Sequence, residues 1–67
     1  MVSLTVNGEK HELEAAPSVA ELLRQLAMPT EAVCVEVNRA IVPRRSHASL
    51  RLQDGDEVEV MTFVGGG

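Results

Sequence analysis

Glu57-Val58-Glu59-Val60-Met61-Thr62-Phe63-Val64-Gly65-Gly66-Gly67 is the stretch that decides how the chain is read. Up to Val64 the residues alternate with period two, the pattern of a strand with one buried and one solvated face. Val58, Val60 and Val64 fall on one side, and Glu57, Glu59, Met61 and Phe63 on the other. Three consecutive glycines follow, with no Cβ atoms to restrict φ and ψ or to fill a narrow channel. A structural segment gains nothing from that freedom. The tail therefore reads as a flexible end able to enter a confined site, with the Gly67 α-carboxylate as the group it exposes for reaction.

Upstream of the strand, Asp54-Gly55-Asp56 is a turn signal. At the other end of the chain Val2, Leu4 and Val6 alternate with Ser3 and Thr5, and Asn7-Gly8 is a hairpin-turn pair. The return strand covers about residues 10–14 and ends at Pro17. Ser18-Val19-Ala20-Glu21 has capping-box spacing, and Val19, Leu22, Leu23 and Leu26 recur on one face of a helix predicted over about 18–26. Pro29 is expected to end it. Val33, Val35 and Val37 mark a third strand, and Ala40-Ile41-Val42 a minor one that Pro43 confines to an edge or end of the sheet. The pattern between Arg44 and Arg51 is irregular. One helix covering a mixed four- to five-stranded sheet is the economical way to bury these faces. That predicts an α+β, β-grasp (ubiquitin-like) domain over residues 1–64 and a flexible glycine tail over 65–67. First and last strands are expected side by side and parallel in the middle of the sheet.

Composition narrows the function. The chain has 67 residues, ten acidic against six basic, a net charge of −4 and one aromatic, Phe63. There is neither a basic stripe nor a set of stacking aromatics for nucleic acid. No apolar run approaches the roughly 20 residues of a membrane span, and a charged signal-peptide start is missing, so a soluble, cytoplasmic domain is expected. Cys34 is the single cysteine, and with His11 and His47 it lacks the spacing of a structural zinc site. Both histidines read as surface residues. No nucleophile, base or phosphate-loop motif occurs.

The Asp54-Gly55-Asp56-Glu57-Val58 turn and the terminal Phe63-Val64-Gly65-Gly66-Gly67 resemble the ubiquitin-like sulfur carriers of the ThiS/MoaD family, the thiamin-biosynthesis branch above all. Val37-Asn38-Arg39-Ala40-Ile41-Val42-Pro43-Arg44 is similar to that family's segment between the third and fourth strands. The resemblance spans the whole chain, and its most specific part is the Gly-Gly ending. Molybdopterin-synthase small subunits share fold and ending but commonly carry prolines shortly before the tail, where Met61-Thr62-Phe63-Val64 has none. Gly65 departs from a minimal family tail and puts the register at a partner's site in question.

The resemblance implies that Gly67 is adenylated by an E1-like, ThiF-type adenylyltransferase that consumes ATP and Mg. A persulfide derived from a cysteine desulfurase then displaces AMP, and reduction leaves a thiocarboxylate that gives its sulfur to a ThiG-type thiazole synthase. On this reading the chain is a cosubstrate rather than an enzyme, with no catalytic side chain, bound cofactor or metal. Gly67 is the modified residue, Gly65 and Gly66 thread the partner's active site, and Met61, Phe63 and Val64 dock. Other readings stand beside it: a molybdopterin-type carrier, a ubiquitin-like modifier joined to lysine through Gly67, and a non-covalent β-grasp module. Phe63 has two placements, outer docking face or core closure. Cys34 shares the outer parity of Glu36 and is either a small apolar filler or a sulfur-handling thiol.

Overall fold

The computed structural model describes residues 1–28 and 33–62. Its alternating stretches form β1 (Val2–Val6), β2 (Glu9–Leu13), β3 (Val33–Val37), β4 (Ala40–Val42) and β5 (Glu57–Thr62), with α1 (Val19–Gln25) after β2 and a 3-10 turn (Arg44–Ser46) after β4. The strand order is β2-β1-β5-β3-β4. β1 and β5 are parallel, and every other neighbouring pair is antiparallel. This is the β-grasp arrangement, with five strands and the last one at the centre.

Period two on the strands and the helical repeat on α1 converge on one core. Leu4, Val6, Val33, Val35, Val42, Val58 and Val60 from the sheet close against Val19, Leu22 and Leu23 from the helix. Leu52 completes the cluster from the irregular segment, which carried no sequence signal for it. That segment is tied down by backbone hydrogen bonds: the Val19 amide donates to the Leu50 carbonyl (3.0 Å) and the Leu52 amide to the Pro17 carbonyl (2.8 Å).

Both hairpin turns have two successive residues at positive φ, Asn7 (50°) with Gly8 (83°) and Asn38 (51°) with Arg39 (71°). Such turns match the right-handed twist of the flanking strands. Asparagine tolerates this region and glycine prefers it, whereas at Arg39 it costs on the order of 1 kcal/mol.

The capping box forms as the spacing predicts. Ser18 Oγ accepts from the Glu21 amide (3.1 Å), and Glu21 Oε1 accepts from the Ser18 amide (2.8 Å). The helix ends at Leu26, as the expected range of about 18–26 has it, and Pro29, expected to end it, lies outside the described residues. Ala27 takes a positive φ of 57°. Its amide donates to the Arg24 carbonyl (3.0 Å), and the Met28 amide donates to the Leu23 carbonyl (2.9 Å). These two bonds define a Schellman motif with alanine where glycine is usual. Met28 packs on the core beside it.

His47 also departs from expectation, being 6% exposed rather than a surface residue. Its Nε2 lies 3.2 Å from the Val42 carbonyl, and its own carbonyl accepts from the Ala20 amide (2.8 Å). The residue joins the 3-10 turn to β4 and to the first turn of α1, a role that no local pattern announces. His11 is half-buried on β2.

Two predictions follow from the helix ends. Ala27→Gly relieves the left-handed conformation and raises stability by about 0.5–1 kcal/mol, read as a higher denaturant midpoint at unchanged slope. The Ser18 amide, assisted by Arg51 and the Ser18 hydroxyl, holds the Glu21 carboxyl below the usual glutamate range. Its stabilising contribution is fully present above the ordinary glutamate pKa and is lost as pH falls through the lowered folded value. Glu21→Gln should flatten that acid limb in a stability-against-pH titration.

Candidate functional site at the end of the last strand

The support of β5 is uneven along its length. β3 pairs with it from Val37↔Val58 to Val33↔Thr62. β1 pairs only at Thr5↔Glu57 and Val6↔Val58, because the chain then turns away at Asn7-Gly8. The Asn7 side chain takes the next place in the ladder. Its Oδ1 accepts from the Val60 amide (2.8 Å) and its Nδ2 donates to the Val60 carbonyl (3.2 Å).

The start of the strand is held in a similar way. Asn38 Oδ1 accepts from the Glu57 amide (3.0 Å), and its Nδ2 donates to Asp56 Oδ1 (3.0 Å). The preceding turn is fixed to β1 by the Ser3 amide donating to Asp54 Oδ1 (2.7 Å) and the Gly55 amide to the Ser3 carbonyl (2.7 Å). These long-range bonds explain why an Asp-Gly-Asp turn precedes the strand: both carboxylates accept backbone amides, since Asp56 Oδ2 also takes the Gln53 amide (2.8 Å).

With Val58 and Val60 buried, Glu57, Glu59 and Met61 face outward, as the parity of the sequence predicts. Met61 is 47% exposed and lies opposite the half-buried Cys34. Glu59 lies opposite Glu36, and Glu36 opposite Ile41, which is 66% exposed. Like charges directly opposed across a sheet destabilise it, and among the described residues neither glutamate has an ion-pair partner. The outer face thus combines Met61 and Ile41 with Glu36, Glu57 and Glu59. Beside it Arg39, Thr5, Gly8, Glu57 and Glu59 rim a shallow cavity of about 240 Å³ between the two hairpin turns.

Of the residues singled out from sequence, Met61 is placed on this face, while Phe63, Val64, Gly65, Gly66 and Gly67 lie outside the described residues. Ile41 was not singled out, although the alternation of Ala40-Ile41-Val42 set it on the side opposite Val42. No cluster of three or more metal-ligating side chains occurs among the described residues. No helix among them is long and apolar enough to cross a membrane.

Comparison with known proteins bears on what this face and the tail are for. The family model described as the ThiS family matches residues 4–67. A thiazole synthase of Paramagnetospirillum magneticum is 39% identical over 66 residues, covering 98% of this chain and 20% of that protein. The chain thus spans about a fifth of the length of the thiazole synthases it matches. The sulfur carrier protein ThiS of Escherichia coli is 30% identical, with 98% of this chain and 100% of that protein covered. The crystal structure of a thiamine biosynthesis protein (ThiS) from Geobacter metallireducens superposes with a TM-score of 0.85 at 36% identity, covering 98% and 100% of the two chains. The family model runs from residue 4 to residue 67, relatives of 30% identity or more support it, and the chain belongs to the ThiS family.

Proposed function

We propose that this protein is a sulfur carrier of thiamin biosynthesis that is loaded at the Gly67 carboxylate. The observation that carries the reading is the family match running through Gly67, on a fold whose last strand is central and anchored on both sides. A carboxylate is a poor electrophile, so the first step is attack of its oxygen on the α-phosphorus of ATP in an E1-like, ThiF-type enzyme. Pyrophosphate leaves and an acyl-adenylate forms, with Mg and ATP belonging to that partner. A persulfide anion from a cysteine desulfurase system attacks the acyl carbon and AMP leaves with the bonding electrons. A thiol then reduces the resulting acyl disulfide, giving a disulfide and the thiocarboxylate.

The carrier needs only to present its end. Three extended glycines span at most about 10–11 Å, enough to place Gly67 in an enclosed site while the folded body stays outside. Gly65 and Gly66 thread that site, and Met61, Phe63 and Val64 dock beside its entrance. Identity to two thiazole synthases supports a ThiG-type synthase as sulfur acceptor in preference to a molybdopterin-synthase subunit. A cytoplasmic setting, which supplies ATP and persulfide donors, fits this chemistry.

Intact mass measures the central claim. After incubation with ATP, persulfide donor and adenylating enzyme, a gain of about 16 Da localised to Gly67 is expected, one oxygen replaced by sulfur. An unchanged mass under those conditions sinks the proposal. Deleting Gly67 should cut loading by at least about 100-fold, since misplacement near 1 Å already costs about that much. Its unfolding curve should overlay that of the parent, and normal loading of the shortened chain would count against Gly67 as the carried residue.

Met61→Ser separates docking from folding. Stability should change by no more than about 0.5 kcal/mol, as for an exposed position, while affinity for the adenylating partner falls about tenfold. The reverse pattern would make Met61 a structural residue. Glu36, Glu57 and Glu59 should speed association with a basic partner surface at low salt, so the on-rate should drop as ionic strength rises. A salt-independent on-rate would remove the glutamates from recognition.

A further inference from the structure

We infer that Asn7 is a positioning residue for the glycine tail, acting through Val60, an inference that rests on the carrier reading above. Its position in a hairpin turn accounts for the backbone alone. An Asn-Gly pair supplies two positive φ values, and glycine at residue 7 would supply the first equally well. The carboxamide does something a turn does not need. Across 53 positions of sequence it takes both the amide and the carbonyl of Val60, while the Asn7 backbone amide donates to the Val58 carbonyl (2.9 Å). One residue therefore carries the parallel ladder of β1 two residues further along β5 than the β1 backbone reaches.

Where that support ends matters. Val60 is the last residue of β5 bonded from the β1 side among the described residues, and only Met61 and Thr62 separate it from the undescribed end of the chain. Beyond Asn7 the strand is paired from β3 alone. A strand held on one edge can swing about that edge, while one held on both edges has a fixed axis. The carboxamide thus fixes the axis of β5 at Val60, the strand from which the chain continues toward the glycines. Its effect falls on reaction after docking, because the β3 pairing of Met61 with Cys34 and of Glu59 with Glu36, and that of Ile41 with Glu36, sets which face these side chains share whether or not Val60 is held.

Asn7→Gly isolates the carboxamide, since it keeps the turn conformation. Two readouts are required. Amide hydrogen exchange at Val60 should accelerate at least about tenfold, while core amides such as Leu22 and Val35 stay within about twofold. In steady-state loading by the adenylating enzyme, kcat should fall about tenfold or more with KM for the carrier within about threefold, at a temperature where the variant is fully folded. Asn7→Asp keeps the acceptor for the Val60 amide but sets a carboxylate oxygen against the Val60 carbonyl. It should keep the turn and still leave kcat as low as in Asn7→Gly, and a wild-type kcat in Asn7→Asp would overturn the need for both bonds to Val60.

Unchanged exchange at Val60 overturns the clamp whatever happens to loading. Accelerated exchange with wild-type kcat shows a strand lock without consequence for the tail, and overturns the positioning role. A wild-type chain that is not loaded at all refutes the carrier reading and this inference with it, and is told apart from the other failures because it appears before any substitution is made.

Discussion

Parallel pairing of β1 with β5 joins residues more than fifty positions apart through only two register pairs, and the other elements are placed around it. Closing so long a loop is entropically costly, so two pairs do not suffice alone. The cost is offset by burial of Val58 and Val60 against Leu4, Val6, Leu22 and Leu23, each apolar side chain contributing roughly 1.5–3 kcal/mol on full burial. Bonds from Ser3, Thr5 and Asn7 to residues between 54 and 60 reinforce the seam. Separated along that seam, the β1–β2 hairpin would lose its central neighbour, and the core would be split between Leu4 and Val6 on one side and Val58 and Val60 on the other.

The same seam divides the two jobs of β5. Its inner valines belong to the core, and its outer residues are available to a partner without altering the packing beneath. The opposed glutamates Glu36 and Glu59 fit that division. Stability alone would favour a lysine at one of them, whereas retaining both keeps an acidic strip next to Met61 and Ile41. The edge strand β2 is protected differently, by the charged and polar run Glu9-Lys10-His11-Glu12, which discourages pairing with other sheets.

What could be read from sequence follows the range of the interactions. The faces of β5 from Glu57 to Met61, the Asn7-Gly8 turn, the capping box and the helix stripe depend on neighbours within a few residues, and all form where the pattern puts them. The Schellman stop at Ala27 is local too, yet alanine hides it because the usual signal is glycine. His47 and Leu52 sit in an irregular stretch whose burial depends on α1 and β4, so no periodicity marks them. Asn7 and Asn38 are legible as turn residues, but their hold on β5 exists only once the sheet has closed. At the candidate site Met61 was legible through parity. Ile41 was obscured by a three-residue strand beside Pro43, too short for alternation to stand out.

A central strand that follows the other four strands of the sheet in sequence also orders events during synthesis. While β5 remains in the ribosomal exit tunnel, β1 has a neighbour on one side only, and the core lacks Val58 and Val60. The hairpin and α1 can form locally, but the outer face that carries Met61 beside Glu36 and Glu59 does not yet exist. A partner that recognises this face therefore meets only chains already translated through β5. Closure of the core around Val58 and Val60 and completion of the outer face around Met61 therefore depend on the same strand.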